Sequence, residues 1–259
     1  QMNDSGAETL IVYEALEGIA KEAQYATASL RRLIVIRPTS KDPQSFWGLL
    51  ENAPVKPPSV SINPQEDLAA LPYSSGTTGL SKGVMLTHAS FTSYILANVE
   101  PADPETLEKN LLTVPMHHIA GLQAMLAAVY GGRTMVIMRQ FDPVEWLSLV
   151  QQHRANRAML VPTMLKQLLD NPRFHDFDLS SLNVITYGAA PMPLEVIRQA
   201  IHEFPEARFI NAFGQTETAS TITMLPPEDH ILEGSPEEIE KKLRRLISIG
   251  TPLDDVEVQ

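Results

Sequence analysis

The segment Tyr73-Ser74-Ser75-Gly76-Thr77-Thr78-Gly79-Leu80-Ser81-Lys82-Gly83 gathers hydroxyls, glycines and one lysine at a density few structural segments need. Glycine lets the backbone approach a ligand closely and adopt φ > 0. Ser and Thr hydroxyls and exposed backbone N–H groups can then surround an anion, and Lys82 adds a point charge. The simplest ligand for such a loop is the polyphosphate of a nucleotide. The spacing is not that of the common NTPase loop, which needs Gly-Lys followed by Ser or Thr, because Lys82 is followed by Gly83. It is not the G-x-G-x-x-G dinucleotide pattern either. A flexible loop would also be rich in Gly and Ser; Lys82 and three segments downstream turn the reading toward phosphate.

The first of these is Pro115-Met116-His117-His118-Ile119-Ala120-Gly121. Neighbouring side chains on a strand point to opposite faces, so the two histidines are expected to part rather than share a metal. The second is Tyr187-Gly188-Ala189-Ala190-Pro191, small residues that end a strand and leave bare backbone for a flat ring. The third is Asn211-Ala212-Phe213-Gly214-Gln215-Thr216-Glu217. Here Thr216 offers a hydroxyl donor, Glu217 a hard oxygen ligand suited to Mg²⁺ bridging phosphates, and Phe213 a face for stacking.

With these four segments in this order, the chain resembles the adenylate-forming (AMP-binding) enzymes. These are the acyl- and aryl-CoA synthetases, the adenylation domains of peptide synthetases, and the beetle luciferases. The proline usual before the loop lysine is Ser81 here. The resemblance covers essentially the whole chain. It implies that Ser74, Ser75, Gly76, Thr77, Thr78, Gly79 and Lys82 hold the phosphates of ATP. It implies Thr216 on the α-phosphate, Glu217 as the Mg²⁺ ligand, and His118 at the mouth of the carboxylate pocket as a gating or orienting residue. Gly188, Ala189, Ala190, Pro191, Asn211, Ala212, Phe213 and Gly214 would line the adenine and acyl group. The implied reaction is carboxylate plus ATP to acyl-adenylate and pyrophosphate, followed in the full-length enzyme by transfer to coenzyme A, with this chain binding nucleotide but catalytically incomplete on its own.

Within the family, amino-acid-activating domains usually carry an aspartate near the second motif and read Gly-Pro-Thr-Glu in the fourth. Here the residues are His118-Ile119-Ala120-Gly121 and Gly214-Gln215-Thr216-Glu217. Both departures point to an acid without an α-amino group, whether fatty, alicyclic or aromatic. Ile119, Ala120, Val161, Ala189 and Ala190 are the pocket candidates. A nucleotide-binding module without activity, an adenylation domain that loads a carrier protein, and a luciferase-type oxygenase share the same motifs.

These residues need elements to position them. Strand-like runs at Leu33–Ile36, Leu111–Val114, Thr134–Met138, Ala158–Val161, Val184–Tyr187 and Arg208–Phe213 alternate with helical ones. The helices are expected from Thr87 to about Val99, over Ile119–Tyr130, from Asp142 to about His153, from Thr163, and over Leu194–Phe204. Asp142-Pro143-Val144-Glu145 is a strong helix start: N-cap carboxylate, proline at N1, glutamate at N3. Ser235-Pro236-Glu237-Glu238 opens a surface helix with a capping box, an apolar stripe at Ile239, Leu243 and Leu246, and Glu237/Lys241 and Glu240/Arg244 pairs. The fold class that follows is α/β, with layered, largely parallel sheets flanked by helices. Sites in such sheets lie beyond the carboxyl ends of strands.

The totals agree. The 259 residues, 44% of them hydrophobic, can build a sizeable core. A net charge of −11 argues against a nucleic-acid or anionic-membrane binder. With no cysteine, disulfides, thiolate zinc sites and a cysteine nucleophile are excluded. Gln1 to Glu8 lacks the apolar core of a signal peptide, and the uncharged stretch Asn110–Gly132 reads as strand plus helix, not a membrane span. A cytoplasmic location and a small-molecule acid as partner are expected. Against the family pattern, residues 1–259 correspond to the central part of the large amino-terminal domain. The ribose-binding aspartate motif, which would follow Ile249-Gly250-Thr251-Pro252-Leu253, and the small carboxy-terminal domain have no counterpart.

Overall fold

The computed structural model describes residues 1–38, 42, 45–75 and 79–258. They form two compact units, residues 1–85 and 86–259.

The amino-terminal unit begins with α1 (Met2–Ser5), then β1 (Thr9–Tyr13), α2 (Glu17–Ala26) and β2 (Arg32–Ile36). β1 and β2 pair in parallel from Thr9↔Arg32 to Tyr13↔Ile36, with α2 as the crossover. After α3 (Phe46–Glu51) and β3 (Leu68–Ala70) comes a small antiparallel hairpin, β4 (Tyr73–Ser74) and β5 (Lys82–Gly83).

The carboxy-terminal unit carries β6 (Leu86–Thr87), α4 (His88–Asn98), β7 (Lys109–Leu112), α5 (Ile119–Tyr130), β8 (Thr134–Ile137), α6 (Pro143–His153), β9 (Arg157–Leu160) and α7 (Pro162–Leu169). It continues with β10 (Val184–Gly188), α8 (Leu194–Glu203), β11 (Arg208–Gly214), β12 (Thr221–Leu225), α9 (Pro236–Arg245) and β13 (Thr251–Pro252). Its seven-stranded sheet has the order β13-β12-β11-β10-β9-β7-β8. From β8 to β11 all neighbours are parallel; β12 and β13 add antiparallel pairs at one edge. The expected α/β class with a mostly parallel sheet is therefore observed.

The strand order reverses at β7. The chain leaves β7 for β8 on one side, then returns past it to β9 and runs outward to β11. Right-handed crossovers put α5 on one face and α6, α7 and α8 on the other. Contacts agree, since α4 packs on α5, and α7 packs on both α6 and α8. The main buried cluster lies under the second group: Trp146, Leu147, Leu165, Leu168 and Ile197 meet Leu111, Leu160, Ile185, Tyr187 and Phe209. Asp142 caps α6 by accepting from the Glu145 N–H at 2.8 Å, and Pro143 takes the first turn, as the sequence requires. Trp146, fully buried, donates from Nε1 to Thr113 Oγ1 at 3.2 Å, which ties α6 to the segment leaving β7.

At the opposite, amino-terminal edge of the strands, Glu108 receives Arg133 at 2.6 Å and Arg157 at 3.0 Å, holding the starts of β7, β8 and β9 together.

Candidate functional site

Each strand from β7 to β11 points the same way, so the loops after β7, β10 and β11 emerge on one edge of the sheet. These loops are three of the four sequence motifs. The order reversal beside β7 makes that edge the place where doubly wound sheets open a crevice for ligands.

The loop after β7 runs through Pro115 to His118 and turns directly into α5. The His118 N–H donates to the Pro115 carbonyl at 3.0 Å, closing the turn, and His118 is the N-cap position of α5. A side chain at Gly121 would stand 2.3 Å from the Pro115 carbonyl oxygen. Only glycine lets the first turn of α5 lie against its own entry loop, which is the physical reason for a glycine three residues after His118. The two histidines do not part as expected. They occupy a turn, not a strand, so period-two alternation does not apply; both rings are exposed and their centroids lie 4.6 Å apart. Among the described residues no three His, Asp or Glu side chains gather as a metal-holding group.

The loop after β10 begins at Gly188, whose register partner is Ala212 on β11. A Cβ there would stand 2.1 Å from the Ala212 carbonyl oxygen, so the close approach demands glycine. Ala189 follows with φ +64°, a left-handed conformation that costs an L-residue about 1–2 kcal/mol. Ala189, Ala190 and Pro191 are exposed, and Ile119, Ala120 and Val161 half-buried. Beneath the loop, Tyr187 is fully buried with its hydroxyl 3.0 Å from His230 Nε2, and His230 Nδ1 lies 2.9 Å from the Pro226 carbonyl. That carbonyl can only accept, so Nδ1 carries the proton and Nε2 takes the Tyr187 O–H. Burial pushes the Tyr187 phenol up and the His230 imidazole down, so both stay neutral.

The loop after β11 is a short return to β12. Gly214 sits at a register shift, and a Cβ on it would meet the Ser220 carbonyl oxygen at 2.0 Å. Thr216, Glu217 and Thr218 form one 3₁₀ turn, ended by Ala219 at φ +60°. Thr218 is occupied by the turn itself: its hydroxyl oxygen accepts from Gln215 N–H at 2.9 Å and lies 2.8 Å from the Ser220 carbonyl. Thr216 Oγ1 has no hydrogen-bond partner among the described residues, and Glu217 is exposed. Thr216 and Glu217 are adjacent in this turn, a hydroxyl and a carboxylate in sequence. Asn211 Nδ2 donates to the Ser248 carbonyl at 2.9 Å, and Thr223 Oγ1 to that of Ile249 at 2.6 Å. Ala212 and Phe213 are half-buried on β11.

In the amino-terminal unit, the hydroxyl-glycine segment lies between the paired strands β4 and β5. Ser74 and Lys82 are directly opposed in the ladder, and Tyr73 faces Gly83. Cross-strand neighbours share a face, so Ser74 and Lys82 stand together at the loop's base. Ser75, Ser81 and Lys82 are exposed, and Gly79 takes φ +81°. Gly76, Thr77 and Thr78 lie outside the described residues.

Sequence reasoning missed Gln123, buried on α5, whose amide reaches the Ala219 carbonyl at 2.8 Å. No motif marks it; its only signal is a polar residue inside an otherwise apolar helix.

The chain is 32% identical over 229 residues to 4-coumarate–CoA ligase 1 of Petroselinum crispum, a match covering 86% of this chain and 42% of that one. It is 31% identical over 230 residues to 4-coumarate–CoA ligase 3 of Arabidopsis thaliana, covering 86% and 40%. The chain thus spans under half the length of these curated relatives. Among solved structures, the N-terminal domain of FACL13 from Mycobacterium tuberculosis superposes with a TM-score of 0.73 at 26% identity, covering 88% of this chain and 56% of that one. A long-chain-fatty-acid-CoA ligase from Archaeoglobus fulgidus has the same fold, with a TM-score of 0.78 at 24% identity, over 99% and 50%. The sequence profile of the AMP-binding enzyme family matches residues 1–259, so the chain with its three motif loops on one sheet edge belongs to that family.

Proposed function

We propose that the protein activates a carboxylic acid with ATP and passes the acyl group to coenzyme A. The observation that carries this is the Thr216–Glu217 turn, which offers a hydroxyl and a carboxylate on the same sheet edge as the His118 and Gly188–Pro191 loops. A carboxylate cannot be displaced by a thiol directly, because oxide would have to leave. Its oxygen instead attacks the α-phosphorus of ATP, the bond to the bridging oxygen breaks, and pyrophosphate departs. The thiolate then attacks the acyl carbon and AMP leaves with the bonding pair. The cost lies in the charge on the pentacovalent phosphorus, which preorganised donors offset.

In this reading Thr216 donates to the α-phosphate and Glu217 holds Mg²⁺, which would neutralise charge on the phosphates. Ser74, Ser75, Gly76, Thr77, Thr78, Gly79 and Lys82 take the departing pyrophosphate. His118 orients the carboxylate at the head of α5. The adenine and acyl group lie along Gly188–Pro191 and Asn211–Gly214. The 4-coumarate–CoA ligase relatives favour an aromatic acid, and small residues at Ala120, Ala189 and Ala190 leave room for a flat ring. Because the match covers 42% of a relative's length, the two-step reaction is assigned to the whole protein and nucleotide contact to this chain.

ATP–pyrophosphate exchange over a panel of aromatic, alicyclic and fatty acids tests the reading. Exchange is expected with at least one aromatic acid. Thr216→Val and Glu217→Ala should each slow it about a hundredfold or more, some 3 kcal/mol of lost transition-state stabilisation, with little change in Tm. Absence of exchange with every acid, or wild-type rates in both variants, rejects it.

A further inference from the structure

Gln123 is a glutamine only 6% exposed, on a helix that is otherwise apolar, five residues after His118. Its Nε2 donates twice, to the Phe91 carbonyl of α4 at 2.9 Å and to the Ala219 carbonyl at 2.8 Å. Two carbonyls can only accept, so both amide hydrogens are committed and the orientation of the group is fixed. Oε1 is then buried with no hydrogen-bond partner among the described residues. A buried acceptor left without a donor costs about 1–3 kcal/mol.

Ala219 is the left-handed residue that ends the Thr216–Thr218 turn, and its own N–H donates back to the Thr216 carbonyl at 3.1 Å. The turn springs from β11, three strand spacings from β7, or about 14 Å. The Gln123 amide nevertheless reaches the carbonyl of Ala219, which ends that turn. An unmet acceptor and a strained alanine meet at one contact, and such costs persist where surrounding structure holds a functional geometry.

We propose that Gln123 is a positioning residue: its amide pins the Thr216–Glu217 turn to the helix that starts at His118, so that the phosphate-facing and carboxylate-facing groups keep a fixed separation. This rests on the function proposed above. Misplacing a reacting group by about 1 Å costs on the order of a hundredfold in rate.

The test compares Gln123→Met, which keeps the volume but removes both donors, with wild type in the full chain. Leu168→Ala, a fully buried site on α7, serves as a control for stability loss alone. Two readouts are taken: kcat and KM in pyrophosphate exchange, and amide hydrogen exchange of the peptide around residues 214–221. Gln123→Met should lower kcat at least tenfold, leave KM for the acid within about twofold, and speed amide exchange in 214–221 at least tenfold. Leu168→Ala should lower Tm and leave kcat of the folded enzyme unchanged. If Gln123→Met does not fold, Gln123→Asn, which can reach only one of the carbonyls, takes its place with the same readouts. A wild-type kcat in either variant, with wild type itself active, overturns the inference and leaves the proposed function standing. A wild-type protein that exchanges with no acid overturns both.

Discussion

Thr216 and Thr218 carry the same hydroxyl two positions apart, and the fold uses them differently. Thr218 closes the 3₁₀ turn through Gln215 and Ser220, whereas Thr216 spends no hydroxyl bond on it. Thr218→Val should therefore cost stability, about 1–2 kcal/mol as for other lost caps, and lower Tm by some 2–4 °C per kcal/mol. Thr216→Val should leave Tm near wild type and act on pyrophosphate exchange instead. Equal Tm losses in the two variants, read by differential scanning calorimetry, would contradict this division. The sequence alone can name the Thr-Glu pair, but not which hydroxyl of Thr216-Glu217-Thr218 is free of the turn, because that depends on where the chain bends back toward β12. His117 and His118 show the same limit: the rule of alternating faces needs a strand, and the chain has already left β7.

Among the elements, what the sequence states locally is what could be read from it. α5 runs from Ile119 to Tyr130 and α6 from Pro143 to His153 as expected, because a glycine pair and an Asp-Pro cap write their ends into the chain. The i,i+4 pairs Glu237/Lys241 and Glu240/Arg244 are present on α9. β7 begins two residues earlier than expected, at Lys109, because Asn156 draws its backbone N–H into a 2.5 Å bond and Asn110 is buried in the ladder. Those polar residues hide a strand whose partners lie 25 and 47 positions away. β12, an antiparallel return six residues after β11, has no counterpart among the expected elements, because no local signal marks it.

Glycines at the strand ends test whether the site edge is built as described. Gly188→Ala puts a methyl 2.1 Å from the Ala212 carbonyl oxygen and should cost at least about 1–3 kcal/mol, as overpacking does. Gly18→Ala, exposed on α2 with nothing within 4 Å of its new Cβ, should gain about 1 kcal/mol from helix propensity. Urea unfolding of the two variants should move their midpoints in opposite directions; a harmless Gly188→Ala would mean the two strands lie farther apart than their register requires.

For the molecule as a whole, the sheet's two strand-end edges carry different chemistry, and pH separates their supports. His230, beneath the loop after β10, is 3% exposed and held neutral mainly by burial, against the raising effects of the Pro226 carbonyl and of Asp229 and Glu228. Its folded-state pKa lies below the ordinary value of 6.5. As pH falls through 6.5 the unfolded chain takes a proton that the folded chain refuses, so stability declines from there downward and is fully present above it. Glu108, at the other edge, sits below its ordinary 4.5: burial opposes its charge, but the Arg133 hydrogen bond and the Arg157 and Arg133 charges prevail. Its contribution is present above pH 4.5 and is lost only as pH falls further, toward and through its lowered value. Acidification should therefore loosen the molecule in two stages, first at the Tyr187–His230 pair under the candidate site, then at the structural edge. His230→Gln keeps a polar partner for Tyr187 without a titrating group. It should flatten the Tm profile just below pH 6.5 and leave the fall below pH 4.5 in place. A variant whose Tm tracks wild type across the upper window would show that the buried pair does not set this sensitivity.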